Sequence, residues 1–177
     1  MDISNYELLE KMAESSQTVV FKARHKKNPE RLLVLKALKV NGLSEYKRAQ
    51  FRQKIEHLRV LNDSLVIAPI SFSDRDETAF VTQDYFAGMP LDRFMKLRYR
   101  MPLCDFFAIA MGLASALEKV HEAGIIHGGI KPHNILVEEG TLAIRLIDFV
   151  STIDVRDVSH FIYDRSFVRE TLAYTSP

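Results

Sequence analysis

Hydrophobic and polar positions alternate in short runs along the first third of the chain. Residues 6–12, 17–23 and 31–38 are apolar-rich and partly β-branched, and turn-forming stretches separate them: Ala13-Glu14-Ser15-Ser16, then His25-Lys26-Lys27-Asn28-Pro29. That pattern predicts three short strands. Between residues 44 and 61 the period lengthens: Phe51, Ile55, Leu58 and Leu61 recur at helical spacing, which predicts one amphipathic helix. Two more strands are predicted at 66–72 and 79–85, with Ser73-Asp74-Arg75-Asp76 between them. Past Gly88-Met89-Pro90 the character changes. Residues 103–123 read as a long, mostly apolar helix stopped by Gly124. A loop is predicted over 125–134, then two short strands at 135–138 and 142–147 around Glu139-Gly140. From Asp148 onward no period is clear, and the chain has no internal repeat.

Five strands and one helix, followed by a helical half, predict an α+β fold with one lobe over 1–88 and a second over 89–177. A junction between lobes is a natural ligand cleft. Composition narrows the partners. The 177 residues carry a formal net charge of +1, which gives no reason to expect a nucleic acid or other polyanion. The single cysteine, Cys104, cannot form an internal disulfide, so a reducing, cytoplasmic setting is expected. Cys104 itself reads as a small apolar helix residue. The first residues, MDISNYELLEKM, lack the basic-then-apolar layout of a signal peptide. The most apolar stretch, 103–117, is too short to span a bilayer and contains Asp105, so no membrane partner is expected.

The segment His127-Gly128-Gly129-Ile130-Lys131-Pro132-His133-Asn134, followed by Ile135-Leu136-Val137, resembles the catalytic loop of protein kinases, H-R-D-x-K-P-x-N. Asp148-Phe149-Val150 resembles the D-F-G metal motif. Thr171 to Pro177 resembles the end of an activation segment, where the family would continue with a glutamate. Upstream, Val34-Leu35-Lys36 stands in the place of V-A-I-K, and Asp84-Tyr85-Phe86 resembles the hinge, with Gln83 before it at the gatekeeper position. These motifs follow one another in the family's order over essentially the whole chain. Lys131 is the variant of the serine/threonine class. The resemblance implies a bilobal kinase-like fold, a β-rich N-lobe plus a partial helical C-lobe, with ATP and Mg2+ as candidate ligands.

The resemblance also shows what has been lost. Phosphoryl transfer is mostly positioning and charge neutralisation. The three phosphate-loop glycines fall on Ala13, Ser15 and Thr18, and Thr18 resists the backbone angles that glycine permits. An ordinary β-turn is therefore as good a reading as a phosphate clamp. Lys36 stands at the ATP-anchoring position, but the register of the helix puts Lys54 where its glutamate partner belongs. Glu56, two places on, points elsewhere at about 100° per residue, and two inward lysines repel. The catalytic base position is Gly129, which has no side chain; losing a general base costs about 10²–10⁴-fold. Gly128 replaces the arginine that would hold a phosphorylated activation segment. His127 reads as a packing residue and His133 as a loop residue. Lys131 remains as the catalytic-loop cation, able to touch a terminal phosphate. Asn134 and Asp148 match the two magnesium ligands. Val20, Lys36, Asp84, Phe86 and Lys131 are the candidate nucleotide contacts, with Val34 bulkier than the usual alanine and Val150 in place of the motif glycine. The expectation is a pseudokinase domain that binds nucleotide weakly and acts through protein partners or further domains of the same polypeptide. The rival expectations are a divergent active kinase and an inactive gene fragment. The lower lobe also ends early relative to the family, which would leave the apolar sides of residues 103–117 partly uncovered.

Overall fold

A computed structural model describes residues 3–15, 18–38, 45–73, 79–98, 100–149 and 153–154. The readings that fall on Ser16, Val150 and residues 171–177 lie outside the described residues. The chain divides into two compact units, one formed by residues 1–60 and 68–85, the other by residues 61–67 and 86–177.

The first unit is a five-stranded sheet with one helix. After a 3-10 turn at Ile3–Asn5 come β1 (Tyr6–Glu14), β2 (Thr18–His25), β3 (Asn28–Leu38), helix α1 (Glu45–Leu58), β4 (Pro69–Ser73) and β5 (Ala79–Asp84). The sheet order is β1-β2-β3-β5-β4 and every pairing is antiparallel. Alternation decides its faces. Tyr6, Ala23, Leu33, Leu35 and Phe80 form a buried cluster on one side, with Ile3, Phe21, Ala37 and Ile70 packed against it. The ring of Tyr6 meets Phe80 edge-on at 5.6 Å.

Two readings change here. The predicted turn at 25–29 shrinks to Lys26–Lys27, because Asn28 already pairs with His25. Pro29 then sits in the unpaired stretch before Leu32, where its missing N–H costs no ladder bond. Helix α1 ends at Leu58 rather than 61. Ile55 and Leu58 are buried on it, while Leu61 has left the helix and belongs to the second unit. Arg59 ties the end of α1 to β4, donating to the carbonyl of Ile70 at 3.3 Å.

The second unit contains β6 (Met89–Pro90), α2 (Leu91–Lys96), α3 (Leu103–Glu122), β7 (Ile125–Ile126), a 3-10 turn (Pro132–Asn134), β8 (Ile135–Val137), β9 (Ile144–Leu146) and β10 (Ile153–Asp154). Strands β6, β8 and β9 form one antiparallel sheet, and β7 pairs with β10. The segment 61–67 joins this unit through Leu146, whose N–H donates to Leu65 O and whose carbonyl accepts from the Ile67 N–H, both at 2.9 Å. The division therefore differs from a boundary at 88/89. Helix α3 runs close to its predicted span and buries Ile109, Ala116 and Val120. It stops at Gly124, whose φ of +71° a side chain would resist. Arg98 joins α2 to α3, with a 2.7 Å bond to Asp105 and its guanidinium 4.3 Å over the ring of Phe94. Leu103, Phe106, Phe107 and Met111 remain exposed along one side of α3. Among the described residues no helix is long and apolar enough to cross a membrane.

Candidate functional site

Each unit carries its own group of candidate residues. In the first, strand register does the work, because directly opposed residues point to the same side of a sheet. Val20 on β2 stands opposite Lys36 on β3, and Lys36 stands opposite Val81 on β5; Val34 opposes Gln83. Val20, Val34, Lys36, Val81 and Gln83 therefore share one face, opposite the face that buries Leu33 and Leu35. Lys36 is half-buried there. Asp84 ends β5 and its carboxylate is held by Arg31, with bonds of 2.7 and 2.8 Å from Nε and Nη2. That bond keeps the guanidinium protonated above its already high ordinary pKa, against a small opposing effect of burial.

The hairpin joining β1 and β2 is closed by its own side chains. The Ser15 N–H donates to Thr18 O at 2.8 Å, and the Thr18 N–H donates to Ser15 Oγ at 3.0 Å. The two hydroxyls also meet at 3.0 Å. Both N–H groups are thus committed to the turn, whereas a phosphate cradle needs such donors open. On α1, Glu56 is exposed and pairs with Arg59 at 3.0 Å, beside the buried Ile55. Lys54 is half-buried.

In the second unit the loop from His127 to Asn134 is built around a buried imidazole. His127 is 1% exposed. Its Nδ1 accepts the Gly129 N–H at 3.1 Å, so the ring proton lies on Nε2, which donates to Ile147 O at 3.0 Å. The ring packs against Phe149 with centroids 4.7 Å apart. Gly129 is buried, and its carbonyl accepts Asn134 Nδ2 at 2.9 Å. Both polar backbone groups of the residue at the base position are therefore occupied by the loop itself. No aspartate or glutamate stands between Glu122 and Glu138 in the chain.

Asn134 and Asp148 are brought together: the Ile147 N–H donates to Asn134 O at 3.0 Å, and Asp148 follows directly. With Nδ2 of Asn134 turned to Gly129, its Oδ1 is the acceptor left for a cation. Asp148 has φ +66°, a left-handed backbone that costs a non-glycine residue energy and that aspartate tolerates better than most. These two oxygen donors suit a magnesium ion. Lys131 is extended and half-buried, and its carbonyl accepts the Asn134 N–H at 2.9 Å. Phe86 is fixed by the Arg145 guanidinium 4.6 Å over its ring, and Gly88 makes room for it. His133 is an exposed loop residue, 3.6 Å from Asp92 on α2.

The sequence motifs missed the closure of the hairpin by Ser15 and Thr18 and the double bonding of His127. A serine and a threonine flanking two residues signal the first; a histidine two places before a buried glycine signals the second only weakly.

A family model for the protein kinase domain matches residues 6–177. The chain belongs to the protein kinase family, and it is a serine/threonine-protein-kinase-like domain. It is 28% identical over 163 residues to a probable serine/threonine-protein kinase of Clostridium perfringens, a match covering 89% of this chain and 23% of that protein. It is 31% identical over 147 residues to serine/threonine-protein kinase 36 of Pongo abelii, covering 83% of this chain and 11% of that protein. With serine/threonine-protein kinase ULK3 of Xenopus laevis it shares 28% identity over 135 residues, or 76% of this chain and 29% of that one. The chain thus spans less than a third of the length of these relatives.

Proposed function

We propose that this domain is a pseudokinase: it binds nucleotide weakly, transfers phosphate slowly or not at all, and serves in signalling by engaging protein partners or further domains of the same polypeptide. The observation that carries this reading is Gly129. The position of the proton-accepting carboxylate has no side chain, and its N–H and C=O are both spent inside the loop. The self-closed Ser15–Thr18 hairpin and the outward Glu56 support it further.

Asn134 and Asp148 are the residues that would hold Mg2+; Val20, Lys36, Phe86 and Lys131 are the candidate nucleotide contacts, Asp84 joining them through its backbone alone because its side chain lies on the Leu33 face, held by Arg31, and bound Mg-ATP would supply the transferable phosphoryl group. Partner binding is supported by the exposed Leu103, Phe106, Phe107 and Met111 on α3 and by the greater length of the relatives. A cytoplasmic setting is supported by the single exposed thiol of Cys104. Calorimetric titration with Mg-ATP tests the ligand side. The expected dissociation constant is on the order of 1 mM or weaker; low-micromolar binding that Asp148→Ala abolishes would overturn the reading.

A further inference from the structure

The face of the first unit's sheet opposite Lys36 contains a cleft of about 200 Å³. Its floor is apolar: the buried Tyr6 and Leu33, with Ile70 beside them. Ser71 and Thr82 also line it, one hydroxyl donating to the other at 2.5 Å, which leaves the floor one further O–H donor.

The rim is different. His25 Nδ1 accepts the Lys27 N–H at 3.0 Å, so a neutral His25 carries its proton on Nε2 and offers it as a donor. The His25 ring is braced edge-on against Tyr6 at 5.0 Å. Asn28 contributes a side-chain amide. Arg31 uses Nε and Nη2 on Asp84, which fixes the guanidinium and leaves Nη1 over. Lys26 and Lys27 follow directly on His25 and add positive charge to that end. A mostly apolar floor, with the N–H donors of His25, Asn28 and Arg31 at one edge, Arg31 offset in charge by Asp84 and Lys26 and Lys27 beyond it, defines the ligand's chemistry.

We propose that this cleft is a second ligand site, for a small aromatic carboxylate whose ring lies over Leu33 and Ile70 and whose anionic group meets His25, Asn28 and Arg31. Because Lys36 and Val20 point to the other side of the sheet, this ligand and nucleotide do not compete for space.

The test is an NMR titration of the whole chain with benzoate and, separately, with uncharged benzyl alcohol. Benzoate should give saturable shifts at Tyr6, His25, Leu33, Ile70 and Thr82, with a dissociation constant on the order of 1 mM. Benzyl alcohol should bind about fivefold more weakly or worse, and Arg31→Gln should weaken benzoate by a similar factor. Asn28→Ala, at an exposed position, serves the same purpose if Arg31→Gln does not fold. Saturating Mg-ATP should leave the benzoate affinity unchanged. No shifts at these residues, equal affinity for the uncharged probe, or displacement by Mg-ATP would each overturn the proposal.

Discussion

Replacing His127 with phenylalanine isolates what its two nitrogens contribute. The substitution keeps a ring in the space beside Phe149, so the packing at 4.7 Å is largely retained. It removes the acceptor of the buried Gly129 N–H and the donor to the part-buried Ile147 carbonyl. A buried group left without its partner costs about 1–3 kcal/mol and a part-buried one about 1 kcal/mol. The expected loss is therefore about 2–4 kcal/mol, a large share of the roughly 5–15 kcal/mol that holds a domain folded. At about 2–4 °C per kcal/mol for a chain of this size, the melting temperature should fall by on the order of 5–15 °C. Urea unfolding followed by circular dichroism measures the loss, and hydrogen exchange at the Gly129 amide reports whether the loop has opened. His127→Ala should cost about 1–2 kcal/mol more, since the ring contact also goes. A loss below about 1 kcal/mol in His127→Phe, with the Gly129 amide still protected, would refute the view that the imidazole ties this loop together.

Two further expectations follow from local geometry. A Cβ added at Gly88 would lie 2.5 Å from Phe86 Cε1 and 3.0 Å from the Val137 carbonyl oxygen; Gly88→Ala should cost about 1–3 kcal/mol and shift the Phe86 ring resonances away from Arg145. The Arg24 bond holds the Glu7 carboxyl below its ordinary pKa, so this pair stabilises the fold above the ordinary carboxylate range and the benefit disappears as pH falls through the depressed value. Glu7→Gln should flatten the acid limb of a stability-versus-pH curve; an unchanged limb would count against the pair.

The strands of the first unit were legible as apolar-rich, partly β-branched runs bounded by turn residues, and the first helix and the long α3 because each keeps helical spacing over several turns. The order β1-β2-β3-β5-β4 was not, since period alone does not say which strands pair. Leu61 kept the helical spacing of Ile55 and Leu58 but left the helix, because burial against another segment and helical register give the same pattern in sequence. Helix α2 is six residues long and β7 only two, too short for a period to emerge. The candidate residues were readable as motifs, and the meaning of Gly129 needed only its lack of a side chain. That both its backbone groups are occupied, that Ser15 and Thr18 close on each other, and that Asp148 takes a left-handed backbone depend on three-dimensional contacts.

The central claim is that the residue at the base position cannot accept a proton. Transfer of labelled phosphate from Mg-ATP to a generic basic protein, compared between the wild-type chain, Asp148→Ala and Lys36→Ala, tests it most directly. All three should incorporate label at, or barely above, the rate seen without protein. Incorporation by the wild type at an ordinary kinase turnover of about 1–100 per second, abolished by both substitutions, would contradict it.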